Sequence, residues 1–174
     1  YTWFVAFSAI PLVIFYPLAK RFTKWPQIIL GLTFSWAVPT AWSAANEEWN
    51  LGIFIMYLAT VFWIIGYDTI YGCQDKNEDE IFGIKNSAVS AKKFLTLFVG
   101  CSYSLMFCLL IISGYLLNNN IFWYIGVSIC GLHLTYQVIK LKNIERNDPL
   151  QIFKSNVFLG LLLTLSSLGN HVNY

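Results

Sequence analysis

Charged side chains are scarce in this chain: 11% of its 174 residues are Asp, Glu, Lys or Arg, and 57% are hydrophobic. An ordinary soluble domain carries roughly 25% charged residues, so the shortage excludes a soluble fold. Metal-binding spacing is also missing. Cys73, Cys101, Cys108 and Cys130 form no C-x-x-C pair, and His133 and His171 stand alone, so zinc or haem would lack ligands. Cys101, Cys108 and Cys130 fall within apolar runs and read as small packing residues. The net charge of +2 gives no hint of nucleic-acid binding. No repeat, linker or low-complexity run divides residues 1–174, which read as one transmembrane helical domain. Tyr1 opens directly into an apolar run, with no initiator Met and no signal-peptide n-region, so the expectation is an N-terminally truncated chain.

What the chain has instead is long apolar runs. Charge-free stretches cover residues 1–19, 26–45, 51–67, 94–117, 121–139 and 155 to the end. Each is about long enough to cross a bilayer core of about 30 Å at about 1.5 Å per helical residue. Their apolar residues lie on most sides instead of along one stripe, which argues against buried helices of a large soluble protein. The expectation is an all-α, multi-pass membrane protein with six transmembrane helices and the lipid bilayer as its surroundings.

The few charges are sorted by side. Lys20, Arg21 and Lys24 follow the first stretch, Lys76, Lys85, Lys92 and Lys93 the third, and Lys140, Lys142, Arg146 and Lys154 the fifth, which accounts for all 11 basic residues. The opposite connections hold only 46–50, with Glu47 and Glu48, and 118–120. The positive-inside rule makes the basic side cytoplasmic, or the matrix side in a mitochondrion. Small residues at Gly31, Ser35, Gly100, Ser104, Gly126 and Gly160 are of the kind that lets helices approach closely in lipid.

Chemistry concentrates on the basic side. Asp68 closes an apolar run, near the membrane boundary, where an ionisable residue faces the bundle interior by default and marks a candidate site. Asp75 lies seven residues on and Asp79 another four, so a continuing helix would align Asp68, Tyr71, Asp75 and Asp79 on one side, with Glu78 beside them and Lys76 pointing elsewhere. Like charges on one face need a counter-cation. Mg²⁺ suits, because it takes one or two carboxylates and completes its shell with water and phosphate oxygens. The plain alternative is a solvated acidic loop. The segment from Tyr16 to Gln27 packs Lys20, Arg21 and Lys24 between Pro17 and Pro26 on the same side. Pro17 is expected to kink the end of the first span, and Tyr16 and Lys20, four apart, share a face if the helix persists. Arg21 suits a bidentate carboxylate contact and Lys20 a phosphate, unless both are simply membrane anchors.

The motifs Tyr16-Pro-Leu-Ala-Lys-Arg-Phe-Thr, Trp25-Pro26-Gln27, Tyr67-Asp-Thr-Ile-Tyr71, Gln74-Asp75 with Asp79, and Gly83-Ile-Lys85 closely resemble those of the UbiA-type 4-hydroxybenzoate polyprenyltransferases. The resemblance runs from the first span to Asn156 and Gly160. It implies a nine-helix bundle, of which six are here, in which two Asp-rich motifs hold Mg²⁺ against a polyprenyl diphosphate. Asp68, Asp75 and Asp79 match the second motif and would be the catalytic and metal-binding residues. Tyr16, Lys20, Arg21, Tyr71 and Lys85 would contact substrates, with Arg21 on the carboxylate of 4-hydroxybenzoate. The first motif, N-D-x-x-D-x-x-x-D, does not occur in this sequence. Asn86 stands where the family usually has Ser, and Asn77 where an acid is frequent. The implied reaction is ring prenylation for ubiquinone synthesis, in a bacterial or mitochondrial inner membrane. Superfamily siblings making haem O, menaquinone or chlorophyll remain open, as does a non-catalytic remnant. A cation transporter would need acids or broken helices inside several spans, and the mid-span positions carry no acid.

Overall fold

The computed structural model describes residues 1–45 and 48–169, without the side chains of Lys20 and Glu145. Every regular element among them is helical: α1 (Thr2–Phe7), α2 (Ile10–Phe22), α3 (Pro26–Phe34), α4 (Ala37–Ala44), α5 (Leu51–Tyr71), α6 (Lys76–Phe82), α7 (Ser87–Ala91), α8 (Leu95–Leu116), α9 (Ile121–Lys142), α10 (Pro149–Lys154) and α11 (Asn156–Leu168). With no water in a bilayer core to satisfy backbone groups, helices are the form such apolar sequence must take.

Among the described residues, five helical stretches are long and apolar enough to cross a membrane: Thr2–Ala19, Leu51–Tyr71, Ser87–Leu116, Ile121–Lys142 and Pro149–Leu168. The sixth expected span, 26–45, differs. It is broken at Ser35–Trp36 into α3 and α4. The physical reason is Pro39, whose ring collides with the carbonyl four residues back and which has no N–H to give it. Pro11 explains the break between α1 and α2 at Ser8–Ala9 in the same way. The two breaks meet. The Trp36 indole donates to the Val5 carbonyl at 2.9 Å and to Ser8 Oγ at 3.2 Å, occupying an acceptor that the first break releases. Thr2 Oγ1 donates to the Ser43 carbonyl at 2.9 Å, so α3–α4 runs back along α1–α2 as a jointed antiparallel pair. Pro17 does not end its helix, which continues to Phe22, and Pro26 begins α3 as expected.

The antiparallel pair of α5 and α8 forms the centre of the bundle. Helices gain little from the hydrophobic effect inside lipid, so contact depends on close fit. At one end Ser113 Oγ donates to the Gly52 carbonyl at 2.9 Å. Nearer the other end Gly66 lies flat against Tyr103, where a Cβ would collide with the ring. The next antiparallel helix, α9, inserts Trp123 beside Gly114 and donates from its indole to the Leu110 carbonyl at 3.2 Å. Gly31 and Gly126 do serve close helix contacts, against Val61 of α5 and Ser166 of α11 respectively.

A polar group within the bundle is fully satisfied. The Tyr103 hydroxyl donates to Gln137 Oε1 at 2.6 Å, Gln137 Nε2 donates to Ser155 Oγ at 3.0 Å, and His133 Nε2 is 3.0 Å from the same hydroxyl. Gln137 is completely buried. The cluster ties α8 and α9 to the α10–α11 junction, and His133 is thereby a structural residue.

Candidate active site

The Asp face does not lie on one helix. The sequence predicts that α5 continues through Asp79, but it ends at Tyr71 and Gly72 caps it. The backbone then tightens, with Cys73 N–H donating to the Ile70 carbonyl and Gln74 N–H to Tyr71, both at 3.1 Å. Asp75 becomes the residue before α6, and the Asp79 N–H donates to its carbonyl at 2.8 Å. Asp75 and Asp79 therefore share the opening turn of α6, while Asp68 stays behind on α5. Among the described residues no three His, Cys, Asp or Glu side chains gather as a metal-binding group. What this corrects is the expected single helix face: Asp75 and Asp79 open α6 and Asp68 lies on α5.

The break has a cause 14 residues downstream. Asn86 lies over Gly72, where a Cβ would sit 2.5 Å from its Oδ1. Its Nδ2 donates to the Gly72 carbonyl at 3.0 Å and to Asp79 Oδ2 at 2.7 Å. Its Oδ1 accepts from Ala88 N–H at 2.9 Å and from Gln27 Nε2 at 3.2 Å. Gln27 Oε1 in turn accepts from the Ser87 N–H at 2.9 Å and from its hydroxyl. Gln27, Asn86 and Ser87 are all buried. A buried amide left without partners costs about 1–3 kcal/mol, so full pairing fixes this corner. The residue that departs from the family's usual Ser thus orients an aspartate of the motif.

The basic and acidic connections, read separately in the sequence, are stitched together. Lys85 Nζ donates to the carbonyls of Arg21 at 2.9 Å and Phe22 at 3.1 Å. The Ser90 hydroxyl donates to the Lys24 carbonyl at 2.7 Å. Lys85, expected among the substrate contacts, places its ammonium on the C-terminal carbonyls of α2, where the helix dipole favours a cation. Arg21 is exposed, and its guanidinium has no partner among the described residues. The Asp75 carboxylate is likewise exposed and unpartnered among them. Lys20 follows Tyr16 by one turn of α2, but its side chain lies outside the described residues. Tyr16 and Asp68 are near enough to interact electrostatically, which brings α2 against the end of α5.

An aromatic wall adjoins Asp68. Trp63, Tyr67 and Tyr71 recur every fourth residue on α5, and Phe153 of α10 packs on Tyr67 and Tyr71 with ring centroids 5.5 and 4.9 Å apart. Trp63 packs edge-on to Tyr67 at 5.8 Å and donates from its indole to Asn156 Oδ1 at 2.9 Å. Asp68 acts electrostatically on Tyr67 as well as on Tyr16. Of the four rings, Tyr71 was singled out as a substrate contact and Tyr67 only as part of a motif, although the spacing of four was there to be read. Cys73, beside the site, is a half-buried thiol that donates to the Thr69 carbonyl at 3.4 Å. Burial pushes it up to about 11, against a smaller lowering by Lys76.

The chemistry of the donor set fits Mg²⁺ in a limited sense. Two carboxylates on one turn, one of them steadied by an amide, suit a cation that completes its shell with water and phosphate oxygens. They do not make a cage that would hold a metal unaided.

A membrane bundle with paired carboxylates at a helix opening, a basic helix end stitched to it and an aromatic wall beside it defines a class of lipid-embedded enzyme-like sites. Residues 1–162 match the UbiA prenyltransferase family, and the chain belongs to that family. It is 37% identical over 173 residues to a mitochondrial 4-hydroxybenzoate polyprenyltransferase of Dictyostelium discoideum, covering 95% of this chain and 36% of the relative. It is 35% identical over 172 residues to a 4-hydroxybenzoate octaprenyltransferase of Francisella tularensis subsp. novicida, covering 99% of this chain and 61% of the relative. A protein of the same name from Salmonella paratyphi B is 34% identical over 160 residues, covering 91% of this chain and 54% of the relative. The chain thus spans less than two thirds of the length of these curated relatives. No solved structure matches it.

Proposed function

We propose that this chain forms the second Asp-rich half of a membrane prenyltransferase that moves a polyprenyl group from polyprenyl diphosphate to the ring of 4-hydroxybenzoate, in ubiquinone biosynthesis. The observation that carries the reading is the stitched corner: Asp75 and Asp79 on one turn, with Lys85 fastening it to the α2 end that bears Arg21 and Asn86 fastening it to Gln27 at the start of α3. The names and identities of the relatives support it.

In this reading Asp75 and Asp79 hold Mg²⁺ and Asp68 supports the site from α5. Bound Mg²⁺ supplies positive charge against the charge that develops on the leaving diphosphate. The C–O bond to the diphosphate breaks, a C–C bond forms ortho to the phenol hydroxyl, and the displaced ring proton passes to solvent. Tyr16 and Lys20 on α2 contact the diphosphate, and Arg21 takes the benzoate carboxylate as a bidentate partner. The faces of Trp63, Tyr67, Tyr71 and Phe153 offer negative quadrupoles to the allylic cation while excluding water. The site opens to the cytoplasm of a bacterial cell or to the mitochondrial matrix, following the basic side.

The test is transfer from polyprenyl diphosphate to labelled 4-hydroxybenzoate in membranes containing the full-length protein. Prenylated product that disappears on chelation of divalent cations is expected. Absence of product with active relatives run alongside would overturn the reading.

A further inference from the structure

On the far side of α8 from α5, the bundle carries a second feature. A groove of about 1080 Å³ runs between α8 and α9. Its α8 wall recurs at Leu97, Gly100, Cys101 and Cys108, one face of the helix, and its other wall is α9 from Ser128 to Lys142. Lys93 and Lys142 stand at the same end, on the basic side, both exposed and without an ion pair among the described residues. None of the residues of the carboxylate site lines it.

We propose that this groove binds one anionic phospholipid of the leaflet on the basic side, with the phosphate headgroup at Lys93 and Lys142 and an acyl chain along the groove. Three observations fit that occupant. The two ammonium groups complement an anionic headgroup, and basic pockets between membrane helices on this side are where such headgroups are held. From Ser128 to Lys142 the wall spans about 21 Å at the helical rise, close to the depth of one leaflet including its headgroup zone. The lining is mostly apolar below the lysines, and Gly100 keeps it open: a Cβ there would meet only Val138 Cγ1, at 3.8 Å. Gly100 was expected at a helix contact; it faces the groove instead.

The test uses full-length protein in neutral detergent, with retention of phosphatidylglycerol compared with phosphatidylcholine by native mass spectrometry. One phosphatidylglycerol per chain is expected, retained more strongly than phosphatidylcholine and progressively lost as salt is raised. Lys93→Gln with Lys142→Gln is expected to weaken retention about thirtyfold, roughly fivefold per lysine. Gly100→Leu, which fills the groove, is expected to lower retention of the anionic lipid at unchanged charge. Equal retention of the two lipids by the unaltered protein would overturn the proposal, as would full retention of phosphatidylglycerol in the double variant. Displacement of the lipid by polyprenyl diphosphate would assign the groove to substrate and overturn it too. The surface lysines keep the test decisive if Gly100→Leu does not fold. Prenyl transfer is read in parallel, so a failed enzyme reading and a failed lipid site are distinguishable.

Discussion

Asn86 Nδ2 lies 2.7 Å from Asp79 Oδ2, and the same nitrogen is 3.0 Å from the Gly72 carbonyl. One amide thereby closes α5 and aims an aspartate on the next helix. Asn86→Ala removes four contacts from a buried corner and is expected to destabilise the protein by about 1–3 kcal/mol. Asn86→Ser, carrying the residue usual in the family, should recover part of the activity. The comparison is made by thermal unfolding and by the Mg²⁺ concentration needed for half-maximal transfer, which Asn86→Ala should raise.

Asp75 and Asp79 should separate by stability while agreeing on activity. Each change to Ala is expected to abolish turnover. Asp75→Ala removes an exposed, unpartnered carboxylate and should leave unfolding nearly unchanged, whereas Asp79→Ala also strands Asn86 Nδ2. Cys101→Ala should be nearly silent in both assays. Full turnover in Asp75→Ala would show that the metal assignment is wrong.

Lys85 and Arg21 should part in the opposite way. Lys85→Met removes the cation on the α2 carbonyls and is expected to cost about 0.3–1 kcal/mol, with KM for hydroxybenzoate little altered. Arg21→Ala should raise that KM at least about tenfold, as loss of a charge-assisted contact does. Steady-state kinetics with thermal melts distinguishes the two.

The Cys73 thiol should be inert near neutrality, because burial lifts it from 9.0 to about 11. Its contribution to stability is complete below about 9 and is lost as pH rises towards about 11. Cys73→Ala should flatten that part of the stability profile relative to the unaltered protein. In maleimide labelling at neutral pH, Cys73 should react more slowly than it does after unfolding.

The apolar spans and the basic side were legible because hydropathy and charge are local properties of a sequence. Pro11 and Pro39 carried the signal for the two helix breaks but went unread, because apolarity across residues 26–45 argued for a continuous span. The end of α5 could not be read from its own residues: Gly72 tolerates a helix, and what closes it there is a side chain at position 86. The contacts of Lys85 were hidden for the same reason, since its carbonyl partners are 63 and 64 residues away. The carboxylates were legible as a motif and illegible as a geometry. Trp63, Tyr67 and Tyr71 were the reverse case, a helical spacing present in the sequence whose meaning needed Phe153 opposite.

The bond from Trp36 to Val5 sets the elbows of two neighbouring helices at one height. An arm whose two bones share an elbow bends as a unit. The forearm, α2 with α3, carries Tyr16, Lys20 and Arg21, and Gln27 clips its far end to the corner that holds Asp79. That far end is latched three times, by Asn86 on Gln27, by Lys85 on the Arg21 and Phe22 carbonyls and by Ser90 on the Lys24 carbonyl. Cutting the latch at Gln27 leaves the other two closed and touches no carboxylate.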